Sequence, residues 1–288
     1  MTPSPADDPK TLVSTQWLAQ HLSDPDLRVL DASWYMPGSG RDARAEYHAA
    51  HIPGARFFDI DEISDQRSAL PHMAPPAEKF MSRMRAMGVG DGHQVVVYDG
   101  AGLFSAARVW WTFRLMGKSD VAVLDGGLPK WRAEGRALED LPPVVRDRHM
   151  TVSRQAGLVK DVTQVAHAAK LGLAEVLDAR SPGRFAGTEP EPRPGLRAGH
   201  VPGAKNIPFA SLLAPDGTMK DPAALRDVFQ AAGVDLSKPA ITTCGSGVTA
   251  AILSLALERI GHRNHALYDG SWSEWGMYED LPVATGPA

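Results

Sequence analysis

The chain has 288 residues, of which 43% are hydrophobic and 22% are charged, with a net charge of −4 and a single cysteine. That length fits two domains of average size, and the composition is typical of globular proteins with ample core material. The small negative charge, without a basic tail or stripe, excludes nucleic acid as a major partner. One cysteine excludes an intrachain disulfide and a thiolate metal site, so we expect no metal.

The first ten residues contain neither an apolar core nor an arginine-rich amphipathic pattern, so we expect no secretory signal and no transit peptide. No apolar run approaches the roughly 18 residues that a membrane helix needs, so we expect no membrane partner. A single cysteine also suits a reducing compartment. Together these features predict a cytoplasmic protein.

Short apolar strands alternate with helices in both halves of the chain. In the first half we predict a strand, a helix and a strand at 93–98, 105–116 and 121–124. In the second half we predict the same succession at 240–243, 249–260 and 265–268. Continuous apolar strands with crossover helices predict an α/β fold, with a parallel sheet covered by helices on both faces.

The chain also repeats its own sequence at offsets of 144 to 149 residues. Val29-Leu-Asp-Ala32 returns at 176–179, and His51-Ile-Pro-Gly-Ala55 returns at 200–204. Three more segments match in the same order: Ser105-Ala-Ala107, Leu124-Asp-Gly126 and Trp131. We therefore predict two tandem copies of one domain at 10–136 and 161–288, joined by a linker at 137–160 that is rich in Pro, Arg and Asp.

The single cysteine lies in a glycine-spaced loop, Cys244-Gly-Ser-Gly-Val-Thr249, between a predicted strand and a predicted helix. Such a loop aims backbone N–H groups at one point, at the positive end of the helix macrodipole. A thiol at that point is acidified, and its thiolate is stabilised. A lone cysteine is more often a small buried apolar residue. The flanking glycines and the loop position nevertheless favour a nucleophile at the strand ends, where ligands of such folds bind.

This loop resembles the active-site loop of sulfurtransferases in the tandem rhodanese family, and the resemblance covers nearly the whole chain. The other matching segments are Leu30-Asp-Ala-Ser-Trp34, His51-Ile-Pro-Gly54, Arg108-Val-Trp-Trp111, Gly187-Thr-Glu-Pro-Glu-Pro-Arg193 and Tyr268-Asp-Gly-Ser-Trp-Ser-Glu-Trp275. Members of the family have an inactive N-terminal domain and an active C-terminal domain. The loop that follows Tyr98 agrees with this pattern, because it contains no thiol.

The resemblance implies transfer of sulfur from 3-mercaptopyruvate without a cofactor. The Cys244 thiolate would attack the donor sulfur and release pyruvate, and the persulfide would pass to a thiol such as thioredoxin or glutathione, or to cyanide. The family has a serine two residues after the cysteine, here Ser246, with a role in proton transfer. The backbone amides that would bind the persulfide anion belong to Gly245, Gly247, Val248 and Thr249.

Two arginines match those with which the family holds the substrate carboxylate, Arg184 and Arg193. A guanidinium fork suits a planar carboxylate better than an ammonium group does. Without the resemblance, the simpler interpretation is a surface arginine that pairs with Glu189 or Glu191, which are close in sequence. With the resemblance, we favour substrate binding.

The family also draws a histidine and an aspartate from the first domain, which would poise the serine hydroxyl for proton transfer. We carry these roles over to His51 and Asp42, with Asp59 and Asp61 as alternative aspartates. The presence of His200 at the repeat position of His51 favours a structural role for both histidines instead. The proton relay is therefore one hypothesis for His51, and a structural role is the other.

Three other functions compete with this interpretation. Thiosulfate is a dianion whose enzymes place basic side chains in the loop, and this loop has none, which favours a donor with a remote carboxylate. A phosphatase of the same fold needs an arginine about six residues after the cysteine, where this chain has Ala250. A non-catalytic binding module would typically lack the cysteine. We expect a monomer, because the internal duplication already supplies an interface.

Overall fold

The computed structural model describes residues 7–287, which form two parallel five-stranded sheets. The first sheet has the order β1-β5-β4-β2-β3, with strands Leu12–Val13 (β1), Leu27–Asp31 (β2), Arg56–Phe57 (β3), Gln94–Tyr98 (β4) and Val121–Leu124 (β5). The second has the order β6-β10-β9-β7-β8, with strands Val159–Lys160 (β6), Glu175–Asp178 (β7), Lys205–Asn206 (β8), Ala240–Thr243 (β9) and His265–Tyr268 (β10). The identical strand order confirms the predicted α/β fold and its duplication.

Helices connect the strands in both sheets. Those of the first half are Thr15–His21 (α1), Ala43–Ala49 (α2), Ile60–Ile63 (α3), Ala77–Ala86 (α4), Ala106–Leu115 (α5) and Gly127–Ala133 (α6). Those of the second half are Val162–Leu171 (α7), Pro182–Ala186 (α8), Pro222–Ala231 (α9), Ala250–Arg259 (α10) and Ser271–Trp275 (α11), with 3₁₀ turns at Ala156–Leu158 and Phe209–Leu212. The six strands and helices predicted above agree with these bounds within one residue. No described helix is long and apolar enough to span a membrane.

The central strands and the helices α5 and α10 have the deepest positions. Every residue of β5, β9 and β10 is buried, as expected for strands of a parallel sheet covered on both faces. Helix α10 is buried from Ala250 to Glu258, which explains why its sequence is apolar on all sides rather than striped. Large aromatic side chains complete each core, with Trp131 beside the first sheet and Trp272 and Trp275 beside the second.

The described chain divides into two compact units, each containing one sheet. The first unit comprises the chain up to residue 65 together with 75–155 and 215–219, and the second comprises 66–74, 156–214 and the chain from 220 onward. Each half of the sequence therefore contributes a short segment to the unit built mainly from the other half. Within the second unit, the Ala74 N–H donates to Asp269 at 2.8 Å, and within the first unit the Met219 N–H donates to Asp125 at 2.7 Å.

The segment at 137–160, predicted as a linker, is divided between the two units after residue 155. Its first part packs on the first unit rather than running free. Glu139 and His51 exchange two backbone hydrogen bonds of 2.8 and 2.9 Å, and the Ser153 N–H donates to the Met116 carbonyl at 3.0 Å. The domain limits at 136 and 161 stay a prediction. The sequence repeat does not predict that the segments 66–74 and 215–219 belong to the unit built mainly from the other half of the chain.

Candidate active site

Cys244 directly follows β9, and its side chain is 2% exposed. The loop from 245 to 249 leads from this residue into α10. Gly247 adopts a left-handed conformation, with φ of 78°, and its N–H donates to the Cys244 Sγ at 3.1 Å. A side chain rarely adopts that φ, so glycine is needed for the turn that brings the amide onto the sulfur.

The other backbone amides of the loop have no protein acceptor among the described residues. They belong to Gly245, Ser246, Val248 and Thr249. Ser246 is itself buried, and its hydroxyl has no hydrogen-bond partner in the described part of the chain. Buried N–H groups are nearly always paired, so a cluster of unpaired ones beside a sulfur atom can bind an anion. The loop therefore combines a nucleophilic atom with donors for negative charge.

Three residues at the start of α11 hold this loop in place. The Ser271 hydroxyl accepts the Cys244 N–H at 3.3 Å and donates to the Tyr268 carbonyl at 2.8 Å. The Trp272 N–H donates to the Cys244 carbonyl at 3.0 Å, and the Ser273 N–H and hydroxyl both donate to the Gly245 carbonyl, at 2.8 and 2.7 Å. The backbone on each side of the sulfur is thus fixed by one short helix.

Ser271 has a φ of 52°, which is unusual for a residue with a side chain. Its counterpart in the repeat, Gly127, has nearly the same φ of 53°. Sequence reasoning missed Ser271, although one signal was available. The first copy reads Asp-Gly-Gly where the second reads Asp-Gly-Ser, so a position that needs glycine in one copy has a hydroxyl in the other.

Arg184 lies against the cysteine loop within the second unit. A Cβ placed on Gly245 would come within 2.8 Å of the Arg184 Nη2, so glycine at this position makes room for the guanidinium. The guanidinium is held edge-on by Glu191, with Nε and Nη2 donating at 3.3 and 2.6 Å. The interpretation of Arg184 as the partner of a nearby acid and its interpretation as a substrate ligand are therefore compatible.

Arg193 contacts His72, which belongs to the short segment that the first half contributes to the second unit. The Arg193 Nη2 lies 3.3 Å from the His72 Nε2. A guanidinium can only donate, so this ring nitrogen is the acceptor in the contact. His72 is buried and has a φ of 61°, a second non-glycine residue in the left-handed region. Sequence reasoning missed it, because no motif surrounds it.

The structure gives His51 a structural role. Its buried ring stacks on Tyr47 at 4.2 Å, with Nδ1 at 2.8 Å from the Tyr47 carbonyl and Nε2 at 3.2 Å from the Leu141 carbonyl. The repeat residue His200 stacks on Phe185 in the same way, at 3.7 Å, with Nδ1 at 2.8 Å from the Phe185 carbonyl. Both histidines thus fix a turn beside an aromatic ring.

The carboxylates considered for the relay are also structural. Asp42 caps α2 by accepting the Ala45 N–H at 3.0 Å, and Asp59 caps α3. Asp61 accepts the Trp34 Nε1–H at 3.0 Å. No hydrogen bond joins Asp42 to His51 within the described residues, because both ring nitrogens of His51 face backbone carbonyls. The part that Asp42 and His51 would play in proton transfer stays a prediction.

Comparison with known proteins gives a consistent result. The family model of the rhodanese-like domain matches residues 14–134 and 161–278. The chain is 43% identical to thiosulfate/3-mercaptopyruvate sulfurtransferase 1, mitochondrial, of Arabidopsis thaliana over 94% of this chain and 77% of that protein. It is 44% identical to human 3-mercaptopyruvate sulfurtransferase over 93% of this chain and 92% of that protein.

A solved structure shows the same fold. The crystal structure of SseA from Escherichia coli, described as a 3-mercaptopyruvate sulfotransferase, matches with a TM-score of 0.84 and 40% identity, covering 91% of this chain and 99% of that one. The fold and the cysteine loop thus define a tandem-domain α/β protein of the sulfurtransferase class. The chain belongs to the rhodanese family, with two copies of its domain.

Proposed function

We propose that the protein transfers sulfur from 3-mercaptopyruvate to a thiol or to cyanide through a persulfide on Cys244. The observation that carries this proposal is the Gly247 N–H aimed at the Cys244 Sγ at 3.1 Å, in a loop whose other amides have no protein acceptor among the described residues. Such a cradle stabilises a thiolate before the reaction and a persulfide anion after it.

The proposed reaction balances without a cofactor. The Cys244 thiolate attacks the sulfur of the donor, an S–S bond forms, and the C–S bond of the donor breaks. The electron pair of that bond goes to the methylene carbon, giving the enolate of pyruvate, and the proton of the donor thiol ends on this carbon. The products are a persulfide anion on the enzyme and pyruvate, so no external oxidant or reductant is needed.

Arg184 and Arg193 are the proposed ligands of the donor carboxylate. Support for Arg184 comes from its position against Gly245, which puts a fixed positive charge beside the cysteine loop. The contact between Arg193 and His72 supports His72, in place of His51, as the histidine near the donor. An imidazole next to the carboxylate clamp can pass a proton between the donor thiol and the leaving enolate, with the Ser246 hydroxyl as its partner.

Thiosulfate is the alternative donor, because the Arabidopsis relative is named for both compounds. The cysteine loop has no basic side chain, which favours a monoanion held through a remote carboxylate over a compact dianion. We further propose a monomer in a reducing compartment such as the cytoplasm, with thioredoxin, glutathione or cyanide as the acceptor.

The test is a comparison of kcat/KM for 3-mercaptopyruvate and thiosulfate, combined with mass spectrometry of the protein after each donor alone. We expect a preference for 3-mercaptopyruvate of at least about 10-fold and an adduct of about 32 Da on Cys244, the mass of one sulfur atom. An equal or higher kcat/KM for thiosulfate would overturn the choice of donor. A missing adduct with both donors would overturn the persulfide mechanism itself.

A further inference from the structure

Beneath the Arg184 guanidinium lies a buried cluster of charges that the proposed reaction does not use directly. At its centre is Arg180, whose side chain is fully buried. Asp178 accepts from Arg180 Nε at 3.0 Å and from Nη2 at 2.6 Å, and the Gly199 carbonyl accepts from Nη2 at 2.8 Å. Burial alone would lower the pKa of Arg180, but the carboxylates of Asp178 and Glu191 outweigh it and raise that pKa. Arg180 therefore remains a fixed cation.

Glu191 joins this cluster to Arg184. Its Oε1 accepts from Arg180 Nη1 at 2.7 Å and from Arg184 Nε at 3.3 Å, and its Oε2 accepts from Arg184 Nη2 at 2.6 Å. The carboxylate is 3% exposed, whereas the Arg184 side chain is 21% exposed. A buried carboxylate that is also held by a fully buried arginine is a fixed support, and Arg184 is the more exposed partner that it orients.

The cluster is also tied to the nucleophile. The Arg180 guanidinium lies over the Trp272 ring, 4.3 Å from its centroid, and the backbone N–H of the same tryptophan donates to the Cys244 carbonyl. The position of the support and the position of the sulfur are therefore set by one residue.

We propose that Glu191 is the positioning and specificity-determining residue of this site, an inference that rests on the proposed function. It occupies the Nε and Nη2 edge of Arg184 and leaves the Nη1 N–H groups for a carboxylate. Its own negative charge, next to the guanidinium, offsets the attraction that Arg184 would exert on any anion. An anion that pairs with the free edge of the guanidinium is then favoured, and a dianion that depends on net positive charge is disfavoured.

The decisive variant is Glu191→Gln, which removes the charge and keeps the size of the side chain. We expect the KM for 3-mercaptopyruvate to rise about 10-fold with kcat within about twofold, because Arg184 loses its orientation. We expect the KM for thiosulfate to fall at least about threefold, because the net positive charge beside the loop increases. Opposite shifts for the two donors distinguish this role from loss of folding, which would affect both donors alike.

The matched control is Glu189→Gln in the same segment. Glu189 accepts from the Ser181 hydroxyl at 2.9 Å, and no hydrogen bond or ion pair joins its carboxylate to Arg184 within the described part of the chain. Both KM values should therefore remain within about twofold. Parallel shifts for the two donors in Glu191→Gln, or no shift in either, would overturn the proposal. Formation of the adduct on Cys244 in the unaltered protein tests the proposed function separately, so the two failures are distinguishable.

Two further variants keep the proposal falsifiable if Glu191→Gln does not fold. Glu191→Asp retains the charge but is one methylene too short to reach both arginines, so the KM for 3-mercaptopyruvate should rise while that for thiosulfate does not fall. Arg184→Lys removes the guanidinium through which Glu191 would act. The double variant Arg184→Lys, Glu191→Asp should therefore have a KM for 3-mercaptopyruvate less than twofold above that of Arg184→Lys alone. A full additional rise in the double variant would contradict action through Arg184.

Discussion

The loops that follow β4 and β9 have the same place in their sheets but opposite chemistry. Tyr98 pairs with Asp31 as Thr243 pairs with Asp178, so Asp99 stands where the second unit has Cys244. The Asp99 carboxylate accepts four backbone N–H groups of its own loop at 2.8 to 2.9 Å, from Ala101, Phe104, Ser105 and Ala106. Both loops therefore direct backbone N–H groups at the residue that follows the strand. In the first loop, the Asp99 carboxylate accepts those N–H groups itself.

Two further positions show the same divergence. The left-handed residue after the Asp-Gly pair is Gly127 in the first unit and Ser271 in the second, where its hydroxyl binds the cysteine backbone. Ser33 in the first unit, whose N–H donates to Asp31, corresponds to Arg180, whose N–H donates to Asp178. At the equivalent positions, the first unit therefore has neither the thiol of Cys244, nor the hydroxyl of Ser271, nor the buried guanidinium of Arg180.

The largest expected effect is that of Cys244→Ser, which removes the nucleophile and leaves the cradle. We expect a loss of kcat/KM for 3-mercaptopyruvate of about 10⁴-fold or more, since a hydroxyl in place of the thiolate is not ionised at neutral pH. Steady-state kinetics measures the loss, and an unchanged thermal unfolding curve shows that the fold is intact. Detection of a sulfur adduct on the variant would contradict the assignment of the nucleophile.

The next effect concerns the loop that follows β4, where the Asp99 carboxylate accepts four backbone N–H groups. Asp99→Ala leaves these four N–H groups without their acceptor, and those of Ser105 and Ala106 are buried. We therefore expect the free energy of unfolding to fall by about 3 kcal/mol. Urea denaturation of the full chain measures this, with Asp147→Ala as a control at an exposed aspartate. A change below about 0.5 kcal/mol would mean that the carboxylate is not what holds this loop, and the comparison of the two loops would then fail.

The sequence predicted those features that depend on local pattern and on the repeat. The apolar strands predicted a parallel sheet, the repeat predicted that there are two such sheets, and the glycine spacing located the cysteine loop. Residues fixed by distant parts of the chain were missed. His72 reaches the second unit only because the segment 66–74 packs there, and neither a motif nor the repeat marks that segment. The repeated His-x-Pro-Gly motif instead points to His51, and its recurrence at His200 matches the similar backbone contacts of the two rings.

Glu191 shows a different limit of sequence reasoning. From the sequence, pairing of Arg184 with a nearby acid and binding of the substrate by Arg184 are alternatives. In the structure the acid is buried between two arginines and the pairing orients one of them. Burial is a tertiary property, so a sequence that shows charges close together does not reveal whether they form a surface ion pair or a rigid support.

The smallest expected effect tests whether the hydroxyl of Ser271 or only its backbone conformation matters. Ser271→Gly converts the position into the equivalent of Gly127, relieving the left-handed strain and removing the hydroxyl that accepts the Cys244 N–H. We expect kcat/KM to fall about 10-fold, because that hydrogen bond fixes the residue bearing the sulfur, while the stability changes by less than about 1 kcal/mol.

Ser271→Ala loses the same hydroxyl but keeps the strain, so it should match the glycine variant in kcat/KM and be about 1 kcal/mol less stable in urea denaturation. Ser273→Ala is the control, since the Ser273 N–H continues to donate to the Gly245 carbonyl, and it should retain kcat/KM within about threefold. Wild-type kcat/KM in Ser271→Gly would show that the second unit needs only the conformation that the first obtains from glycine, and that the hydroxyl is incidental to the nucleophile.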